Sequence, residues 1–447
     1  MNNYTSKNHK TKFLFLAFLC FAAGIVYPQQ NIEPEVSRTI KLDEALQLGF
    51  QNNRQLKMAN TDADIAKENV SQSKISKVPR VGLNMGYNYI GNPKIYDGFY
   101  DKSITVDYFN NQYSANIVGS VPIYNGGVIN NKIDQQQLIS EMKQSVAKMT
   151  EAEIKLAIVQ QFFNLEKLYS QIEVTKQNII NTDLRIKQLK SRVSNGQNLK
   201  SDLLRTELQQ SRFNVSVLKD ANNIKLISNY LDILIGLPTD TILKPESVDS
   251  KPPTEILNLQ KCLSEAYENR VEIKQSEIGV KLSESSLNIT KSGFRPNINA
   301  NLIANTQYPA QWPDFANIIN FWAAGVTLNW DISSFYNLKH RVRANKFEID
   351  KSNTILEATK DQIDREVKTS FVRFLENKET IVTFKKDVDL SLSNYKIVKS
   401  RYDNDFALIS DMVDAELQVN EAKISLNNAN LDLIIQYYSL QYAMGKL

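Results

Sequence analysis

The feature that most constrains this chain is that its second half repeats its first. Laid over one another without gaps, Leu42, Leu46, Phe50, Asn52, Leu56, Lys57 and Pro79 fall on Leu259, Leu263, Tyr267, Asn269, Ile273, Lys274 and Pro296, a constant offset of 217 residues. Farther along, Ile123, Phe162, Lys190, Ser191, Arg192, Asn195, Leu199, Ser201, Asp202, Glu207, Leu208, Gln209 and Gly236 fall on Ile332, Phe371, Lys399, Ser400, Arg401, Asn404, Leu408, Ser410, Asp411, Glu416, Leu417, Gln418 and Gly445, at an offset of 209. The offset drops between Pro296 and Ile332, so that stretch absorbs length change as a surface loop does. The mature chain is therefore one unit of two repeats, about 40–238 and 257–447.

Proline and glycine mark out the elements. None of the 12 prolines lies between Ile123 and Leu237 or after Pro313, and Gly196 is the only glycine from Val128 to Ile235. An interior proline costs a helix about 3 kcal/mol and a glycine about 1, so these stretches predict two helical hairpins, about 127–236 and 336–446. Ile158, Leu165, Ile172, Ile179, Ile186 and Val193 recur every seventh residue, as do their repeat partners Val367, Phe374, Ile381, Val388, Tyr395 and Tyr402. That is the seam of a coiled coil. A helix from near Ile129 to Ser194 is about 100 Å long and needs neighbours along its whole length. The heptads alone also fit a coiled-coil rod.

The segments between the helices point elsewhere. Val81, Leu83, Met85, Tyr87 and Tyr89 alternate with Arg80, Gly82, Asn84, Gly86 and Asn88, and Tyr113, Ala115, Ile117, Gly119 and Val121 alternate with small or polar residues. In the second repeat Ile298, Ala300, Leu302 and Ala304 do the same, as do Trp322, Ala324, Val326, Leu328 and Trp330. The predicted strands, about 80–90, 113–123, 297–308 and 321–331, each have one apolar face. They have the length that crosses a bilayer in a tilted barrel, with a polar face suited to a wet lumen. Trp312, Trp322, Trp330, Tyr87, Tyr89, Tyr308 and Phe321 near strand ends suit aromatic girdles; a soluble sandwich would bury them. Four strands cannot close a barrel, and an open edge in lipid leaves backbone groups unsatisfied. Copies of the chain must pool their strands, with a ring of helices beneath.

Composition removes other classes. The 53 basic and 49 acidic residues are intermixed, with no block of one sign to track a nucleic-acid backbone. Two cysteines, Cys20 and Cys262, and two histidines, His9 and His340, build no metal cluster, disulfide framework or Cys-His nucleophile. There is no P-loop, nucleophile elbow or paired-histidine metal motif. No cofactor and no enzymatic activity are expected. Lys7, Lys10 and Lys12 precede an apolar run from Phe13 to Tyr27, which reads as a signal peptide over residues 1–29. Cleavage falls after Ala22-Ala23-Gly24 or nearer Gln29.

Leu42-Asp43-Glu44-Ala45-Leu46 followed by Asn52-Asn53, the Gly126-Gly127 strand-to-helix turn, and Asp411-Met412-Val413-Asp414-Ala415 together resemble the TolC family of outer-membrane factors, over Leu42 to Leu447. The resemblance implies a fold of coiled-coil helices plus transmembrane strands: a homotrimer with four strands per protomer, a 12-stranded barrel in outer-membrane lipid, and a 12-helix periplasmic tunnel. It implies a passive export duct, docked to a periplasmic adaptor (membrane fusion) protein and an inner-membrane RND or ABC pump. It also assigns Asp411 and Asp414 to carboxylate rings at the tunnel mouth, although acids at a helix N-terminus are favoured there in any case. Asp202 and Tyr402 match two members of the family's closing contact, while Ala407 stands where an arginine is expected; Tyr402 also continues the heptad seam. Two other readings fit the sequence: the same duct serving a protein exporter, and an exported coiled-coil structural protein without a pore.

Overall fold

The computed structural model describes residues 38–92, 94–97, 102–105, 109–246, 258–309, 317–404 and 406–447. The expected signal segment, Cys20, Trp312 and Asp405 lie outside the described residues. In chain order the elements are β1 (Arg38–Ile40), α1 (Leu42–Asn52), α2 (Arg54–Lys74), a 3-10 turn (Ile75–Lys77), β2 (Arg80–Tyr89), β3 (Lys94–Asp97), β4 (Lys102–Thr105), β5 (Asn111–Asn125), α3 (Val128–Ser194), α4 (Lys200–Ile235) and β6 (Leu243–Pro245). They continue with α5 (Leu259–Asn269), α6 (Val271–Ser292), β7 (Asn297–Tyr308), β8 (Ile319–Asn329), α7 (Ser334–Asn337), α8 (Lys339–Asp403) and α9 (Ile409–Ala443).

Strands β2, β5, β7 and β8 form one antiparallel sheet in that order. Residues paired across strands share a face, so the register decides which side each side chain takes. Leu83 stands opposite Ile117, Ile117 opposite Ala304, and Ala304 opposite Trp322, which gathers the apolar sets of all four strands on one face. The other face carries Asn84, Asn116 and Asn305 in one row. There Asn84 Nδ2 donates to Asn116 Oδ1 at 2.9 Å, and Asn301 Nδ2 donates to Thr327 Oγ1 at 2.9 Å. Tyr87, Tyr113 and Tyr308 cluster on the apolar face, with ring centroids 5.2 and 6.4 Å apart.

Phe321 departs from the girdle expectation. It pairs with Asn305 and so sits on the polar face, while Trp322 next to it sits on the apolar one. Val81, Met85 and Trp322 are 74, 78 and 75% exposed, so nothing within the protomer covers the apolar face as a soluble sandwich would. Strands β3 and β4 pair as a separate ribbon within the β2–β5 connection. β5 carries a register shift at Pro122/Tyr124, a place where a residue without an N–H costs the ladder least.

Each strand of the sheet is joined to a helix of the same rank. β2 follows α2, β5 leads into α3, β7 follows α6 and β8 leads through α7 into α8; these helices pack side by side in the order α2, α3, α6, α8. Toward the far end the order becomes α4, α3, α9, α8. The 67-residue α3 and 65-residue α8 therefore run the full length, about 100 Å at 1.5 Å per residue. Shorter helices stack end to end beside them.

Those stacks meet in matching joints. Gly236 ends α4 at a φ of +75° against Asn52, where a Cβ would lie 2.4 Å from the Asn52 Cβ. Gly445 after α9 has a φ of +71°, and its Cβ would lie 2.8 Å from the Asn269 carbonyl carbon. Only glycine suits both the left-handed backbone and the close approach. The buried Asn53 caps α2 by accepting from the Gln55 and Leu56 amides and donates to Leu234 O at 2.9 Å. At the corresponding place in the second repeat, Arg270 reaches Tyr442 O and Ala443 O and binds Glu272 and Glu366 at 2.6 and 2.7 Å.

Around each joint lies one core. The first holds Ile40 and Ala45 against Ile158, Phe162, Leu165 and Ile172; the second holds Cys262 and Ala266 against Val367, Phe374 and Ile381. The heptad seam is thus the buried face of both long helices. Among the described residues no helix is long and apolar enough to cross a membrane.

Candidate functional site

At the end remote from the sheet, α3 reverses into α4 at Gly196, whose φ is +71°, and α8 reverses into α9. The four helix ends share a small core of their own. Leu189 of α3 is buried with Ile409 and Val413 of α9, and Leu203 of α4, Tyr402 of α8 and Leu417 of α9 pack against them. Tyr402 is therefore a packing residue at the tip.

Asp411 lies in the first turn of α9. Its Oδ2 accepts the Leu408 amide at 3.2 Å, satisfying one of the N–H groups that a helix start leaves free. Asp414 follows three residues later on the same face. Both carboxylates are exposed, whereas Met412, Val413 and Ala415 are buried. The sequence that starts the helix thus also turns two acids outward at the tip.

Asp202 lies in the first turn of α4 and is half-buried. It shares an electrostatic neighbourhood with Tyr402. Burial pushes the Tyr402 phenol up, Arg192 and Arg185 draw it down, and Asp202 and Asp403 push it up. Among the described residues no hydrogen bond joins Asp202 to Tyr402; the two meet through charge, and it is Leu203, next to Asp202, that packs with Tyr402 in the tip core. Ala407 supplies no cation here, and the arginines near Tyr402 come from α3. Arg185 also binds Glu416 of α9 at 2.5 Å, with side chains only 10 and 14% exposed. Sequence reasoning missed this bridge. Its one signal is that Arg185 immediately precedes the seam residue Ile186, which places it at the margin of a packed face.

At the other end of α3, Gly126 and Gly127, with φ of +65° and +94°, turn β5 into the helix. A Cβ on Gly126 would lie 2.7 Å from Ser292 O, and Arg295 Nη1 donates to Gly126 O at 3.0 Å. The turn is clamped to the joint between α6 and β7, which fixes the sheet on the helical layer.

Comparison with known proteins agrees with this architecture. The sequence pattern of the outer membrane efflux protein family matches residues 45–237 and 262–446. The chain is 20% identical to outer membrane protein TolC of Salmonella enteritidis over 436 residues, covering 92% of this chain and 83% of that one. Among solved structures it is similar to the outer membrane protein VceC of Vibrio cholerae, with a TM-score of 0.74, 15% identity and coverage of 90% of this chain and 96% of that one. It is similar also to the CmeC outer membrane channel of Campylobacter jejuni, with a TM-score of 0.75, 14% identity and coverage of 91 and 85%. At such identities the two structures speak for the fold.

Proposed function

The chain belongs to the outer membrane efflux protein family, and from that premise we propose that it is the exit duct of a three-part export system, a homotrimer that passively conducts what an inner-membrane RND or ABC pump delivers through a periplasmic adaptor. The observation that carries this reading is the shared order of strands and helices. The sheet ends in β2 on one side and β8 on the other, and the helical layer ends in α2 and α4 on one side and α8 on the other. One protomer is a stave whose two edges are matched from top to bottom. Closing such staves into a ring pairs the strand edges, as lipid requires, and gives the long helices their missing neighbours. Three copies of a four-stranded sheet make a barrel of the size class that encloses a channel. The polar face then lines the lumen and the exposed apolar face meets lipid.

At the tip, Asp411 and Asp414 recur in each copy and form rings of carboxylates around the mouth, which gather cations in a narrow opening. The adaptor docks on the helix reversals. Movement of α8 and α9, with Tyr402 and Asp202 in the contact that yields, opens the mouth.

The test uses protein extracted from outer membranes in mild detergent. Its native mass should be that of three protomers, and it should conduct ions in planar bilayers with cation preference. Replacing Asp411 and Asp414 by Ala should weaken block by a multivalent cation about tenfold. A protomer that neither assembles nor conducts would sink the duct, and unchanged selectivity in the double variant would sink the mouth assignment alone.

A further inference from the structure

The four strands of the sheet contain one charged residue, Arg80. It pairs with Ser120 and so belongs to the polar face, where its fellows are neutral amides, hydroxyls, glycines and a few apolar side chains. It sits at the start of β2, beside the turn into α3. There Arg80 and Lys132 line a single cavity of about 350 Å³, together with Ser76, Ser120, Asn125 and Asn299. No carboxylate lines it. Both cations are exposed, and among the described residues neither has an ion-pair partner.

We propose that this cavity is a binding station for the anionic groups of small soluble molecules, carboxylates, phosphates or sulfonates, at the junction of barrel and tunnel. The proposal rests on the duct reading for its place in a lumen, but its chemistry is local. A guanidinium offers a planar fork for two oxygens and an ammonium a second point charge. Hydroxyl and amide side chains supply neutral partners around them. The volume falls within the range of small-molecule sites. Because the rest of the sheet's polar face is uncharged, no nearby strand residue opposes the field of these two groups, and in a ring of copies it repeats around the passage. The duct then has stations of opposite sign, carboxylates at the periplasmic tip and cations where the tunnel meets the barrel. An anion that has passed the tip finds its favourable contact at the far end.

Two measurements with inorganic tripolyphosphate test this. The first is calorimetric binding to the detergent-solubilised oligomer, which needs no conduction. The second is block of single-channel current with the probe added on the barrel side. Wild type should bind and be blocked, and Arg80→Gln with Lys132→Gln should raise both the dissociation and the block constants about tenfold or more. Asp411→Ala with Asp414→Ala should leave the binding unchanged. If wild type conducts but shows neither binding nor block, or if the Gln variant matches it, the station is overturned and the duct stands. If wild type binds the probe but conducts nothing, the duct reading falls, and with it the placing of the site in a lumen.

Discussion

Asp232 shows how a single residue answers to the whole fold. It is fully buried in α4, and desolvation pushes its carboxyl up to about 6; the Thr241 amide, itself bonded to Pro238 O, offsets this only in part, and Asp240 pushes it further. A group whose folded pKa is raised adds stability that is fully present below its unfolded value, 3.8, and lost as pH rises through about 6. Above that pH the fold must hold a buried charge that only the field of the Thr241 amide opposes, since that N–H is given to Pro238 O and neither carboxylate oxygen has a hydrogen bond of its own. Asp232→Asn should therefore gain about 1–2 kcal/mol more stability at pH 8 than at pH 5, read as melting temperatures of the same detergent-solubilised sample. Equal destabilisation at both pH values would mean that the carboxylate has a partner after all. Nothing in the sequence marks Asp232, because its burial comes from the fold around it. Asp411 is the reverse case, since its place just after a turn and before a proline-free run was legible in local pattern alone. The face of Phe321 lay between the two: alternation predicts a strand, but only the register with Asn305 says which side the ring takes.

At the scale of elements, period and punctuation carried most of the fold. The sevenfold seam named Ile158, Leu165 and Ile172 and their partners Val367, Phe374 and Ile381, and all six are buried. What the seam could not say is which helix lies against it, since a heptad records that a neighbour exists and not its identity. The neighbour of α3 changes from α2 to α4 along its length, and its contact with α9 joins residues as distant in sequence as Arg185 and Glu416. That bridge ties the two hairpins at the tip. Arg185→Met alone leaves Glu416 largely enclosed without its cation, a loss of about 2–3 kcal/mol, somewhat below a fully buried pair because both groups still touch solvent. Hydrogen exchange should quicken over the tip residues near Leu189 and Val413 and stay slow in the cores around Phe162 and Phe374. Adding Glu416→Leu to that variant should recover most of the protection, because it removes the stranded charge. If the single variant exchanges like wild type, the bridge does not hold the tip.

The whole molecule is defined by what a single protomer leaves uncovered. Along α8, Leu375, Val382, Leu390 and Ile397 are 42, 64, 58 and 61% exposed, the first two one residue past the seam positions Phe374 and Ile381 and the last two two residues past Val388 and Tyr395, so that the stripe faces about 100–200° away from the seam. On the opposite edge α4 exposes Leu204, Leu208, Val215 and Leu226 at 53, 54, 49 and 69%. A solvated helix has no reason to repeat aliphatic residues at this spacing along one face; two such stripes on opposite edges of one stave are complementary only between copies. Each large side chain buried there contributes about 1 kcal/mol or more, and a carboxylate in the same place must be desolvated against it. Val382→Glu with Leu390→Glu should therefore yield a chain with wild-type helix content by circular dichroism that runs as a monomer in detergent and conducts nothing. Val382→Leu with Leu390→Ile should assemble as wild type does. The pair separates a failure of folding from a failure of closure: lost helicity in the glutamate variant would place these residues in the protomer's own core, and normal assembly would move the interface between copies away from α8.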